Sequence, residues 1–186
     1  MSCKLTQSKV NSCTKKQKQG GVETTMWLYN IEEGGEEVSY TEATVGVVTD
    51  IILPTGAVLH RVDTEKFASS FGHSFEKPAL NSFFPQTVNI VSILDSPEDL
   101  AWYTEILRAD KVGVVVLDNN RQFKILGQYA GLNGSSGDGY NSGNEQGADV
   151  STMVLLDGAE TSHPYKFLDL GDYATTKAYL VEKETI

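Results

Sequence analysis

Any chemistry in this 186-residue sequence has to come from a short roster: His60, His73 and His163, Cys3 and Cys13, and the polar side chains of a glycine-rich stretch at 131–147. The histidines are scattered, and none stands at the paired spacing of a metal site. The two cysteines have nine residues between them and no second ligand pair. They can bridge each other or hold a metal, but two free thiols in a reducing compartment are the expectation. Serines and aspartates are plentiful, yet no GxSxG places a serine on a strand-to-helix elbow. The acids are spread over loops, so nothing marks the paired carboxylates of a glycosidase. Residues 137–142 (GDGYNS) begin like a dinucleotide fingerprint, with Ser142 where the third glycine belongs and no helix expected to follow. There is no GxxxxGK[ST] for phosphate. Asp138, Asn141, Asn144 and Glu145 can be drawn as a calcium cage, but their spacing is not that of the EF-hand. A loop that orders against a partner is the plainer expectation for this stretch. Trp27 and Trp102 are expected to anchor a core rather than to stack on sugars. The sequence therefore predicts no catalytic residue, no cofactor and no metal, and hence no enzyme.

Composition and charge bound what remains. Hydrophobic residues make up 40% and charged residues 22%, which is globular rather than disordered. The length suits one domain. No apolar run reaches the roughly 20 residues that span a bilayer, and the lysine-rich start lacks the apolar stretch of a secretory signal, so a soluble protein without a membrane partner is expected. Residues 1–22 hold five lysines (Lys4, Lys9, Lys15, Lys16, Lys18) and no acid, leaving 10 basic against 25 acidic residues, a net of −15, for the rest. A body this acidic repels phosphate, so it does not grip nucleic acid, though it suits a conduit through which DNA must pass. The basic start reads as a flexible arm over 1–21, either solvated or docked on an acidic neighbour, ending at the Gly20-Gly21 hinge before a single domain over 22–186.

The elements that must position any site are mostly strands. Residues 24–31 (TTMWLYNI) are aromatic and β-branched and read as a strand. Residues 32–37 (EEGGEE) read as a solvated turn. Residues 45–53 (VGVVTDIIL) are apolar almost throughout, which predicts a strand covered on both faces or by a partner. Pro54-Thr55-Gly56 is a turn, and 57–62 resumes as a strand. Residues 87–94 alternate as a strand. Ser96-Pro97-Glu98-Asp99 opens a helix on three signals: a capping serine, a proline in the first turn, and acids at the positive helix end. Leu100, Tyr103, Ile106 and Leu107 form its expected apolar stripe, and it should end near Ala109. Residues 111–118 and 121–129 flank Asn119-Asn120, a dipeptide that tolerates positive φ, and predict a hairpin. Strands at 150–156 and 165–168 and a short helix after Asp172 complete the chain.

The stretch 66–77 (KFASSFGHSFEK) places Phe67, Phe71 and Phe75 four residues apart. That spacing aligns them on a helix face or on one side of a strand. Ser69, Gly72 and Ser74 favour the extended form. We read it as half of a long hairpin pairing with 82–93, with Lys77-Pro78 near its tip and Phe83 and Phe84 on the return. A hairpin with one aromatic face needs a cover, and a neighbouring subunit supplies one. The expected oligomer interface is therefore this arm: Phe67, Phe71, Phe75, Phe83 and Phe84. The expected fold is mainly β, an antiparallel β-sandwich or partly closed barrel with one packed α-helix and a long hairpin arm.

Laid out in this order, the chain resembles tail subunits of phages that infect gut Bacteroidetes, including crAss-like phages. The features that carry the resemblance run along nearly the whole chain. They are the start Ser2-Cys3-Lys4-Leu5-Thr6-Gln7, Val48-Thr49-Asp50-Ile51 before a turn, and the phenylalanine-rich stretch up to Phe84-Pro85-Gln86. The helix, the following hairpin and Tyr129-Ala130-Gly131-Leu132 fit too, as does Met153-Val154-Leu155-Leu156 before an acidic turn and Pro164. The match is one of order and texture, with no single diagnostic motif. The resemblance implies a tail-tube-like sandwich that forms homo-oligomeric rings, as ring layers or a stacked tube. It implies a place in the virion tail after synthesis in the host bacterial cytoplasm. It also implies neighbouring tail or portal-proximal virion proteins as partners, and DNA passing through the lumen without specific binding. Two other readings stand beside it. One is the tube component of a contractile injection or type VI-like system. The other is a carbohydrate-binding β-sandwich using Trp27 and the glycine loop.

Overall fold

Val112–Asp118 (VGVVVLD) is buried at every position, and the two sides of this one strand organise the molecule. Val112, Val114 and Val116 face one apolar cluster, and Val115 and Leu117 face another. Side chains alternate across a strand, so a run without polar positions must be covered on both faces. The computed structural model describes residues 20–64, 68–78, 81–92, 96–141 and 151–184.

The strands in chain order are β1 (Val22–Asn30), β2 (Glu32–Glu33), β3 (Glu36–Glu37), β4 (Ser39–Thr44), β5 (Val47–Ile52), β6 (His60–Asp63), β7 (Ser70–His73) and β8 (Phe84–Ser92). Helix α1 (Pro97–Arg108) follows, then β9 (Val112–Asp118), β10 (Phe123–Leu126), β11 (Asn133–Asn141), β12 (Ser151–Glu160), β13 (Lys166–Leu168) and helix α2 (Tyr173–Glu182). A seven-stranded sheet runs β4-β5-β13-β10-β9-β1-β6, and a four-stranded sheet runs β11-β12-β8-β7. Neither closes on itself. The pairings are antiparallel except that of β13 with β5. The protein is mainly β, in a sandwich-like arrangement of two sheets.

The first cluster lies between the sheets. Met26, Leu28, Val114, Val116 and Leu126 from one sheet meet Val88, Ile90, Val154 and Leu156 from the other. Trp102, Tyr103, Ile106 and Leu107 of α1 close its end. The second cluster lies on the opposite face of the seven-stranded sheet, where Trp27, Tyr29, Ile51, Phe123 and Ile125 pack under Leu180 of α2. Leu180 is fully buried, a change that stabilises by roughly 1.5–3 kcal/mol. Gly113 lies opposite Tyr29 across β9 and β1, and a Cβ there would collide with the Tyr29 ring.

The expected helix start is present in full. Ser96 Oγ accepts from the Asp99 N–H at 3.1 Å, and the Asp99 carboxylate accepts from the Ser96 N–H at 3.1 Å. The helix ends with Ala109 as its cap. Its apolar stripe differs from the expectation: Leu100 is 58% exposed, and Trp102 takes its place against the core. The first turn is mostly exposed, while the end of the helix lies against β11, where Gly134 leaves room for the Leu107 carbonyl.

Other expectations are corrected. The strand expected at 45–53 is β5, and only Val48 and Ile51 are buried in it. Val45 and Gly46 form the exposed turn of the β4–β5 hairpin, so apolar composition there did not mean two covered faces. The glycine stretch enters as strand β11 paired to β12, not as a loop from its start, while 142–150 lie outside the described residues. The β9–β10 turn is made with Arg121, not the asparagines, in the left-handed region at φ 59°. The Asp118 carboxylate accepts from the N–H of Asn120 at 2.8 Å and of Gln122 at 3.0 Å, which holds the turn in that form.

Candidate functional site

The expected hairpin exists, and its register is continuous. Ser70, Phe71, Gly72 and His73 lie opposite Asn89, Val88, Thr87 and Gln86, and Glu76 bridges Phe83 further out. The chain turns between Glu76 and Phe83, around Lys77-Pro78. The pairing of β8 with β12 stops at Phe84 opposite Glu160. Only the Glu76–Phe83 bridge and the turn lie beyond the last β12 partner.

The five phenylalanines of the expected arm divide by position. Phe67 lies outside the described residues. Phe71 is half-buried and packs on the first cluster, with the Lys124 ammonium 4.9 Å from its ring centroid. It belongs to the molecule's own core as much as to any interface. Phe75 is 56% exposed, and its ring meets Phe84 at a centroid distance of 5.3 Å. Phe83 and Phe84 are half-buried. The structure thus brings Phe75 and Phe84 together at the outer end of the hairpin and seats Phe71 inward.

Backbone bonding shows which way β7 faces. Ser74 donates to the Pro85 carbonyl at 3.0 Å, and Glu76 and Phe83 exchange both backbone bonds. Alternation then turns the N–H and C=O groups of Phe71, His73 and Phe75 away from β8. β7 is the edge of its sheet, so those groups form an open strand edge among the described residues.

Beneath this edge lies a feature with no separate signal in the sequence. Lys124 and Asp118 form a buried ion pair, with side chains 11% and 4% exposed. Burial pushes the Asp118 carboxyl up, but the Lys124 ammonium and the N–H groups of Gln122 and Asn120 outweigh it and hold it below the usual carboxylate range. The Lys124 ammonium also lies 5.5 Å from the Tyr165 ring, which packs edge-on to His73 at 5.4 Å and to Phe167 at 5.4 Å. The aromatic strip at the root of the hairpin is therefore Phe71, His73, Tyr165 and Phe167, of which the phenylalanine spacing marks one.

No family model, no curated protein and no solved structure matches the chain.

The other residues singled out for chemistry are placed as follows. His60 is exposed on β6, His73 sits against Tyr165, and His163 has its Nδ1 buried without a hydrogen-bond partner. Among the described residues, no three His, Cys, Asp or Glu side chains gather as a metal site. No described helix is long and apolar enough to cross a membrane. Cys3, Cys13, Asn144 and Glu145 lie outside the described residues, and Asp138 and Asn141 fall on β11. Trp27 is 1% exposed and donates from Nε1 to Glu184 at 2.6 Å, so it is a core anchor and offers no ring to a sugar.

Proposed function

We propose that the chain is a non-catalytic virion structural protein, a subunit of a homo-oligomeric ring or tube layer in a phage tail. Its neighbours in that reading are further copies of itself and adjoining tail or portal-proximal proteins. The observation that carries it is the outer end of the β7–β8 hairpin, where Phe75 stands 56% exposed against Phe84 beside an unpaired strand edge. Apolar surface and open backbone groups at one place call for another protein surface to cover them. A hairpin whose turn lies beyond the last β12 partner meets a different surface on the next copy, which is the geometry of a ring that closes by rotation. The acidic body, net −15 outside residues 1–22, suits a lumen that passes DNA without holding it.

Negative-stain microscopy and sedimentation velocity of the purified chain test this reading. Rings, stacks or a closed oligomer at micromolar concentration are the expected outcome. A chain that stays monomeric at high concentration overturns it.

A further inference from the structure

A second surface, lined by none of the hairpin residues, combines an apolar cleft with acidic neighbours. A cleft of about 390 Å³ opens between α1 and the β6 edge. Leu28, Val58, Trp102 and Ile106 line its apolar part, with Glu105 and Glu184 among its polar residues. Through Asn30, Glu105 and Ala109 it continues into a shallower groove along α1, past the exposed Leu100. The lining also holds His60 and Arg61, the latter paired with Asp63 at 3.0 Å, Arg108 lines the groove, and Glu184 already accepts from Trp27 at 2.6 Å, so most of the negative charge of this surface comes from the neighbouring β2–β3 hairpin. The Glu105 side chain has no hydrogen bond or ion pair among the described residues. Just beyond Asn30, the β2–β3 hairpin carries Glu32, Glu33, Glu36 and Glu37, all exposed, with Glu32 alone held in an ion pair, to Lys111.

One segment of this chain matches that surface in sign and texture. Residues 1–19 carry five lysines and no acid, with Leu5 and Val10 among them. The chain enters the fold at Gly20, whose carbonyl accepts from Asn119 at 2.5 Å, next to the start of β1. The cleft lies at the other end of the same strand, at Leu28 to Asn30, about 26 Å away by strand rise. Both edges of β1 are occupied, by β6 and β9, so the segment cannot pair along its own strand, and the choice of a neighbouring copy's cleft over its own rests on the proposed self-association. A basic end and an acid-rimmed, apolar end on opposite tips of one strand make a head-to-tail contact between copies.

We infer that the cleft between α1 and the β6 edge is the docking site for residues 1–19 of a neighbouring copy. This rests on the self-association proposed above and assigns a second contact to it, distinct from the hairpin.

The segment carries its own reporters, because Cys3 and Cys13 are the only cysteines of the chain. Thiols placed in the groove by Ala101→Cys or Ala109→Cys, in the full-length chain, are oxidised in a mixture of ¹⁴N- and ¹⁵N-labelled protein. Ala178→Cys, exposed on α2, is the matched control. The expected result is a disulfide from Cys3 or Cys13 of one copy to the groove thiol of another. It should form at least about tenfold faster than at the control, as for a tethered group at high effective concentration. Adding Glu105→Lys should bring the rate down to the control. Equal trapping at Ala178→Cys, trapping within single copies only, or indifference to Glu105→Lys overturns the inference. Microscopy of the same samples separates the two claims. Rings without groove trapping remove the docking site and leave the assembly reading, whereas trapped chains without rings remove the assembly reading.

Discussion

The phenolic hydroxyl of Tyr179 lies 2.6 Å from the Asp50 carboxylate and 2.6 Å from the backbone nitrogen of Ile51, donating to the first and accepting from the second. Lys183 adds a bond to the Ile51 carbonyl at 2.6 Å, so α2 grips both backbone groups of one β5 residue. Burial, then Asp50 itself, pushes the Tyr179 hydroxyl well above its ordinary range, which keeps it a neutral donor. Ile51 is buried in the second cluster, and its N–H has no water to fall back on. Tyr179→Phe is expected to cost about 1–3 kcal/mol, the penalty of an orphaned buried amide. Urea unfolding should show a lower midpoint at an unchanged slope. An unchanged midpoint would mean that the Ile51 N–H finds another partner when the hydroxyl is gone.

The pair of Asp118 and Lys124 ties stability to pH. The folded Asp118 carboxyl titrates below the usual carboxylate range, so its contribution is in place above about pH 3.9, the unfolded value. It is lost as pH falls through the lower, folded value. Asp118→Asn should therefore flatten the acid limb of the stability profile below pH 4. At pH 7 it should cost about 3–5 kcal/mol, because Lys124 is left buried without its partner. Replacing both residues, Asp118→Asn with Lys124→Met, should recover much of that loss. Denaturant titrations at pH 7 and pH 3 on the three variants check all three statements.

Gly113 is the one position in β9 where size rather than polarity decides. The Tyr29 ring lies directly over it, and the Tyr29 hydroxyl meets the Tyr40 hydroxyl at 3.0 Å, which in turn donates to the Gln128 carbonyl at 2.9 Å. A methyl group at Gly113 must push the ring out of this chain of bonds. Gly113→Ala is expected to destabilise by about 1–3 kcal/mol, as overpacking does. Thermal unfolding measures it, and a neutral result would show that the ring can swing aside.

What the residues disclosed in advance follows from how local each signal is. The start of α1 was legible because Ser96, Pro97 and Asp99 act on their own turn. The β7–β8 hairpin was legible because alternation and turn residues set its register within twenty residues. β4 (SYTEAT) carries no strand signal because it is polar and mostly exposed, so its pairing with β5 leaves no apolar pattern. β11 reads as loop in the sequence because glycine and serine have weak strand preference, and it is its partner β12 that makes it a strand. The inward seat of Phe71 could not be read from its spacing, since Lys124 and Tyr165 reach it from distant stretches. The cleft on α1 was invisible for the same reason, being assembled from β1, the approach to β6, α1 and the chain's end.

Phe71 and Phe75 share a spacing but not a role, and substitution separates them. Phe71 packs on the first cluster over the buried ion pair, so Phe71→Ser should weaken the monomer by about 1–3 kcal/mol, part of the cost of truncating a wholly buried ring. Phe75 stands 56% exposed, meets Phe84 and belongs to neither core cluster, so Phe75→Ser should leave the unfolding midpoint nearly unchanged. Its expected effect is on assembly, with oligomers lost at concentrations where the parent chain forms them. Removing residues 68–82 entirely would also strip β7 from Val88 and uncover Lys124. The point substitution is therefore the sharper probe. Sedimentation velocity and thermal unfolding on the two variants give the answer together. Intact oligomers in Phe75→Ser, or a monomer destabilised as much as by Phe71→Ser, would remove the hairpin tip from the interface.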